Sequence, residues 1–294
     1  MIENNIIYQQ LKHIETLAYN INLEKIKKDV EERMNTYMVK DVGRVNIEEI
    51  VYNGLIAEMG YPSFNLEAYK AQAVAIRTFI KSNKKHKGEN YDLCGDTCCF
   101  VYADEKKKQG FKPEQLERFR KAVEETKGEL IYYDNKIITT PVFFAYGHNT
   151  TNNATDVWGG NYPYLQSVNT PEKKEPQEIE YTQEEFCKRL GIDNIERFKI
   201  ISKNYNGYNK TISLQELPCY DFSFYNGNKI RNKLDLKSGI FDIYLLDNGN
   251  IKIVCYGYGH GVGMSQYGAN ELANQGYNYK EILKHYYTGV EIKK

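Results

Sequence analysis

The sequence has no run approaching the ~20 consecutive apolar residues that cross a bilayer. Its first residues, Met1-Ile2-Glu3-Asn4-Asn5, also lack the basic segment and apolar stretch of a secretory signal. It reads as a soluble chain, either cytosolic or separated from an N-terminal anchor or signal. No charge of either sign is in excess: 39 Lys and Arg balance 39 Asp and Glu. No net field draws such a chain onto nucleic acid or anionic lipid, and a neutral partner fits better. The 6 cysteines make no regular disulfide framework, because Cys94, Cys98 and Cys99 are bunched while Cys187, Cys219 and Cys255 are scattered. No internal repeat is visible, and tryptophan is confined to Trp158.

Tyrosine, by contrast, is abundant, with 26 residues. A phenol offers a flat apolar face and a polar edge, which suits sugar rings as well as protein cores. With 294 residues the chain holds one large domain or two small ones around a sizeable core. From Asn5 to about Val42, apolar residues at helical spacing predict one long or two shorter amphipathic helices. Asn46 and Glu49 read as a capping box for a helix through Ile56, and Lys112 to Lys127 as a helix ended by Gly128. Strands are expected at Leu130–Tyr133, Ile137–Thr139 and Pro141–Tyr146. The stretch from Asn169 to Glu185, rich in Glu, Lys and Pro, reads as a solvated connection with its charges on the surface. A short helix (Glu184–Leu190) and a hairpin candidate at Asn206-Gly207 follow. A clearer hairpin turns at Asp247-Asn248-Gly249-Asn250, and two helices, Ser265–Gln275 and Asn278–Thr288, close the chain.

Three constellations carry chemistry. The first is Glu67, on a run from Asn65 to Phe79 that is apolar nearly all round, as in a helix buried within a domain. At helical spacing it faces Ala71, Val74 and Thr78, with Lys70 and Arg77 to one side. The alternative is an ordinary first-turn Glu favoured by the helix dipole. The second is the run from Gly257 to Ala269, whose alternate glycines bring backbone amides close to a ligand and whose Ser265 can cap the next helix. It lacks the βαβ context and distal acid of a dinucleotide site, and no P-loop Lys follows. The alternative is a tight strand-to-helix connection with His260 simply hydrogen-bonded. The third is His86 with Cys94, Cys98 and Cys99, a donor set suited to structural zinc because four protein ligands leave no open position. Unpaired thiols or a local disulfide remain the alternative. A zinc hydrolase is disfavoured, since no His-Glu-x-x-His occurs.

Leu66–Thr78, the block Asp156-Val157-Trp158-Gly159-Gly160 with Pro163-Tyr164-Leu165, the run Gly259–Ala269 and the tail Ile282–Val290 together resemble the stage II sporulation protein D (SpoIID) family. The resemblance covers about residues 46–292 in order, leaving 1–45 as an N-terminal helical segment and the charged connection near 169–185 inside the matched region. It implies an α+β, two-lobed fold with Glu67 at the base of a substrate cleft and the glycine-rich loop on its wall. The implied activity is that of a lytic transglycosylase, acting on peptidoglycan strands stripped of stem peptides and closing a 1,6-anhydro ring. Glu67 stands where the family keeps its catalytic acid. Lys70, Gln72, Arg77, Trp158, His260, Ser265, Gln266 and Tyr267 stand as substrate-binding candidates. For Glu67 to hold a proton, its burial has to outweigh the helix dipole, Lys70 and Arg77.

Some relatives carry a His-Cys pair where this chain has Cys98-Cys99, which keeps the ligand count of a zinc site. Tyr146-Gly147-His148 departs from the family's Ser and Gly-Gly pair, leaving His148 as a substrate contact or a surface residue. The resemblance further implies a place outside a membrane, between forespore and mother cell, with anchoring through a segment outside this chain. A sporulation amidase and membrane partners are implied with it. A wall-binding protein that enhances an amidase without turnover is the competing reading.

Overall fold

The computed structural model describes residues 2–83, 85–96, 98–192, 197–203, 207–215 and 222–294. Cys219 and the turn residue Asn206 lie outside them. The chain begins with one helix, α1 (Ile2–Met34), and residues 12–27 on it are all exposed, so Ile14 and Ile21 face solvent. Helical periodicity predicted continuation to about Val42. Instead β1 (Thr36–Val39) and β2 (Gly43–Asn46) form a hairpin, because Asp41 and Gly43 take left-handed backbone angles, φ 60° and 106°, that no α-helix contains.

Asn46 then caps α2 (Ile47–Met59) by accepting the Glu48 N–H. The expected reciprocal bond from Glu49 is not made, since Glu49 pairs with Arg120 at 2.7 Å. Asn65 caps α3 (Leu66–Ser82), the central helix, on which Ala68, Ala71, Ala73 and Ala75 are fully buried. These small side chains let neighbouring elements approach closely. After the short α4 (Glu105–Lys108), α5 (Pro113–Glu125) packs with α2 against α3.

Next, β3 (Leu130–Tyr133) and β4 (Lys136–Ile137) turn through Asp134 and Asn135, both with positive φ. They are followed by β5 (Phe143–Phe144), α6 (Ala154–Trp158), β6 (Gln177–Tyr181), α7 (Gln183–Leu190), β7 (Arg197–Lys203), β8 (Asn209–Gln215), β9 (Phe222–Tyr225) and α8 (Gly227–Leu234). The hairpin predicted near Asn206-Gly207 is thus present as β7 and β8. The second predicted hairpin is β10 (Ile240–Leu245) with β11 (Ile251–Tyr256), in the register Phe241 to Cys255 and Ile243 to Ile253. The chain closes with β12 (Met264–Ser265), α9 (Gln266–Asn274), α10 (Tyr279–Tyr286) and β13 (Glu291–Lys293).

The result is a mixed α+β fold of helices and small, mostly antiparallel sheets. One apolar cluster surrounds α3 and draws on α2, α5, α9 and α10; a smaller one lies between α7, α8 and the sheet β10-β11-β6. The stretch 169–185 keeps its charges at the surface from Lys173 to Glu185, as expected, but it is more than a connection. Ile179 on β6 pairs with Ile253, and Thr170 and Glu172 are each only 3% exposed. The pairing is long-range, so the local charge pattern carried no sign of it. Among the described residues no helix is long and apolar enough to cross a membrane.

Candidate active site

Glu67 occupies the first turn of α3, where the Asn65 side chain accepts its N–H at 3.1 Å and the Asn65 N–H donates to Asn270 Oδ1 of α9 at 2.8 Å. Its side chain is 26% exposed. Lys70 Nζ donates to Oε1 at 2.6 Å, and the backbone N–H of Tyr279, the first residue of α10, donates to Oε2 at 2.9 Å. Lys70 also holds Glu125 Oε2 at 2.6 Å. Burial works against the Lys70 charge, but its bonds to Glu125 and Glu67 prevail and raise its pKa above the usual lysine value. Beside this pair, Glu129 accepts from Tyr279 Oη at 2.8 Å and from Lys280 Nζ at 2.9 Å.

Lys70 is therefore brought to Glu67, and Arg77 is not. Arg77 is 1% exposed and lies on the α2 side, where its Nε and Nη2 bond Glu48 at 2.6–3.1 Å and its other donors reach the carbonyls of Val123 and Glu129. With no surface to offer, it locks α2, α3 and the end of α5 together. Gln72 and Gln266 are buried too, at 0% and 4% exposure. Thr78, near the Glu67 face, donates to Val74 O and accepts the Ile131 N–H, tying α3 to β3.

The glycine-rich run is fastened by a parallel ladder, Met264 to Phe143 and Ser265 to Phe144. Gly261 and Gly263 have φ near +75°, and a Cβ there would lie 2.4 Å from Asn152 Nδ2 and 2.2 Å from Val142 O. Only glycine fits so close an approach. The His260 ring sits between Phe144, at 5.8 Å, and the exposed Trp158, at 5.0 Å. Its Nδ1 accepts the Val262 N–H at 3.0 Å, which leaves the proton on Nε2. Burial, with help from the Arg231 charge, lowers its pKa to about 4, so the ring is neutral at neutral pH.

Ser265 is fully buried and caps α9 by accepting the Gly268 N–H at 3.1 Å. Its hydroxyl donates to Glu172 Oε1 at 2.5 Å, where the Gly147 N–H also arrives at 2.7 Å. Thr170 Oγ1 donates to the other oxygen and bonds Tyr286 Oη of α10 at 2.9 Å. Tyr267 packs against Tyr61, Phe64 and Tyr146 with ring centroids 5.0–5.7 Å apart. His148 is half-buried against the Tyr256 ring at 4.5 Å, and burial, with the Lys173 charge, lowers its pKa.

Away from these residues, His86, Cys94, Cys98 and Cys99 place their ligand atoms within 4.8 Å of one another. His86 Nε2 lies 3.4 Å from Cys98 Sγ and 3.3 Å from Cys99 Sγ, and Cys94 Sγ lies 2.9 Å from Cys98 Sγ. Ligands bound to one tetrahedral zinc stand about 3.5–3.8 Å apart, which follows from bond lengths of about 2.0–2.3 Å. The set therefore fits a metal ion with modest adjustment. Glu89 Oε1 bonds His86 Nδ1 at 3.0 Å, which would aim Nε2 at the metal as a carboxylate does in many metal sites.

Residues 35–133 match the profile of the family described as SpoIID, stage II sporulation protein. Stage II sporulation protein D of Bacillus amyloliquefaciens is 35% identical over 269 residues, covering 85% of this chain and 75% of that protein. The chain belongs to the stage II sporulation protein D family. The Bacillus subtilis protein of the same name is 34% identical over 86% of this chain and 76% of its own length. A more distant relative, the amidase enhancer of Bacillus subtilis, is 27% identical over 81% of this chain but only 40% of that protein.

In this SpoIID-family chain, sequence reasoning missed Glu172, Tyr279, Glu125 and Glu129. Glu172 lies in a charged stretch that reads as surface, and the Tyr279 contact is a backbone amide, which no side-chain pattern reveals. Glu48 had a weak signal, being an acid in the first turn of a helix beside a buried arginine.

Proposed function

We propose that this protein is a lytic transglycosylase that cleaves between N-acetylmuramic acid and N-acetylglucosamine in peptide-stripped glycan strands. The observation that carries the reading is Glu67, a partly exposed carboxyl at the capped end of a buried helix, held at both oxygens and adjoining an aromatic cluster through Phe64. One carboxyl serves both half-steps. It gives its proton to the leaving O4 of N-acetylglucosamine, then takes the proton of the muramic C6 hydroxyl as O6 attacks C1 and closes the 1,6-anhydro ring. No water is consumed, and no second carboxylate is required, unlike the usual glycoside hydrolases. A protonated Oε1 would set a donor against the Lys70 ammonium, so that contact has to open in the acid step. Glu125, already 2.6 Å from Lys70, holds the ammonium when it does.

His86, Cys94, Cys98 and Cys99 are the residues that would hold a zinc ion, which would brace the loop after α3 without taking part in the reaction. The reading places the protein outside a membrane during sporulation, downstream of an amidase that strips the stem peptides. The likeness to the amidase enhancer supports a second reading, a wall-binding protein without turnover. Mass spectrometry of denuded strands after incubation separates the two. Wild type is expected to release 1,6-anhydro ends and Glu67→Gln none; strands left intact but retained by wild type favour the second reading.

A further inference from the structure

Three tyrosine rings run from the acid's end of α3 toward the glycine-rich loop. Tyr267 meets Phe64, next to the Asn65 cap, edge-on at 5.0 Å; Tyr146 follows at 5.7 Å from Tyr267, and Tyr258 at 6.0 Å from Tyr146. A lysine stands at each end of the row. Lys174 Nζ lies 4.0 Å from the centre of the Tyr267 ring and Lys237 Nζ 5.4 Å from that of Tyr258. Both ammonium groups are thus positioned by a ring, and Lys237 is also tied to the glycine-rich loop, since its carbonyl accepts the Gly259 N–H at 2.8 Å.

Neither lysine has a carboxylate partner among the described residues, whereas Lys70, Lys210, Lys252 and Lys280 each hold one at 2.6–2.9 Å. At the Lys237 end, half-buried Arg231 donates Nε to Leu236 O at 3.3 Å and likewise has no acid among the described residues. Burial works against its charge, a cost that an anion on this face would offset. Exposed lysines are usually just solvated. Cations fixed at both ends of a row of tyrosine rings that meet edge to face, neither of them bonded to an acid among the described residues, match a saccharide that carries carboxylates.

We propose that Lys174 and Lys237 bind the free lactyl carboxylates of N-acetylmuramic acid, with the intervening sugars lying along Tyr267, Tyr146 and Tyr258. Selection of peptide-stripped glycan then has a chemical cause: a stem peptide turns that carboxylate into a neutral amide and removes the group the lysines hold. This assignment rests on the glycan-cleaving reading above and adds the groups that set its preference.

The test is a titration of the Glu67→Gln protein, which spares the ligand. The probes are an N-acetylglucosamine–N-acetylmuramic acid tetrasaccharide with free lactyl acids, the same sugar with lactyl methylamides, and chitotetraose. The acid form is expected to bind about tenfold more tightly than the methylamide at low salt, with the gap closing as salt rises. Adding Lys174→Gln and Lys237→Gln together is expected to shrink the gap to about twofold or less, and Lys174→Arg with Lys237→Arg to restore it. Equal affinity for acid and methylamide, or a gap that survives the double glutamine variant, overturns the assignment. If wild type still makes 1,6-anhydro ends in that case, only the assignment falls. If no probe binds and no anhydro ends form, the glycan-cleaving reading falls with it.

Discussion

Glu67 and Glu172 are both carboxylates tied to the last two helices, and they are held in opposite ways. Glu172 is 3% exposed and receives the Gly147 N–H and the hydroxyls of Ser265 and Thr170, all inside the fold. Glu67 is 26% exposed and is held by one backbone amide and one ammonium that has a second acid to turn to. An acid whose acceptors are all filled by buried donors can only hold the structure. An acid held by a movable cation at the surface can exchange a proton with a ligand. The glycine-rich loop and α9 depend on the first, and the proposed chemistry on the second.

The contrast is broken most strongly at Glu67 itself. Glu67→Gln is expected to reduce formation of 1,6-anhydro ends by about 10²–10⁴-fold, with a urea midpoint close to that of wild type. A comparable activity in the variant, by mass spectrometry of glycan digests, would remove Glu67 from the chemistry. Glu172→Ala should do the reverse. It leaves buried donors without an acceptor and is expected to cost about 3–5 kcal/mol in urea unfolding; a cost below about 1 kcal/mol would show that the network is not a clamp.

A subtler break is Gly268→Ala. Its Cβ would lie 2.1 Å from Tyr286 Oη, 2.4 Å from Thr170 Oγ1 and 2.5 Å from Glu172 Oε2. The expected loss is about 1–3 kcal/mol, read by thermal unfolding, and a neutral result would mean that these groups shift freely. The smallest effect is a pH slope. His260 has its folded pKa lowered to about 4 from 6.5, so the unfolded chain binds more protons between those values. Its contribution to stability is present above about 6.5 and is lost as pH falls toward 4. The drop in urea midpoint from pH 7 to pH 5 should therefore be smaller in His260→Gln than in wild type, and an identical drop would count against a neutral imidazole at this position.

Much of this was legible in the residues. The buried helix carrying Glu67, the hairpin about Asp247-Asn248-Gly249-Asn250 and the two closing helices follow from apolar periodicity, alternation and the placement of Ser265 and the glycines. The grouping of His86 with the three cysteines was legible as well, because four donors within one loop need little help from the fold to meet. Helical spacing put Lys70 and Arg77 on one side of Glu67, yet it could not say which of them faces the acid. Arg77 found Glu48 on α2 instead, and the hairpin after α1 replaced a predicted helix because two left-handed residues interrupted an otherwise helical period.

The sequence by itself determined that a carboxylate sits at the start of a buried helix, which loop carries closely spaced glycines and which side chains suit a metal. These depend on neighbours along the chain, whose geometry the backbone period sets. Only the tertiary structure decided that Glu67 is held by the amide of Tyr279, 212 positions away, and that Glu172 is a buried clamp on Ser265, 93 positions away. A carboxylate's role depends on the donors that surround it and on its access to water, and both are properties of packing between distant segments.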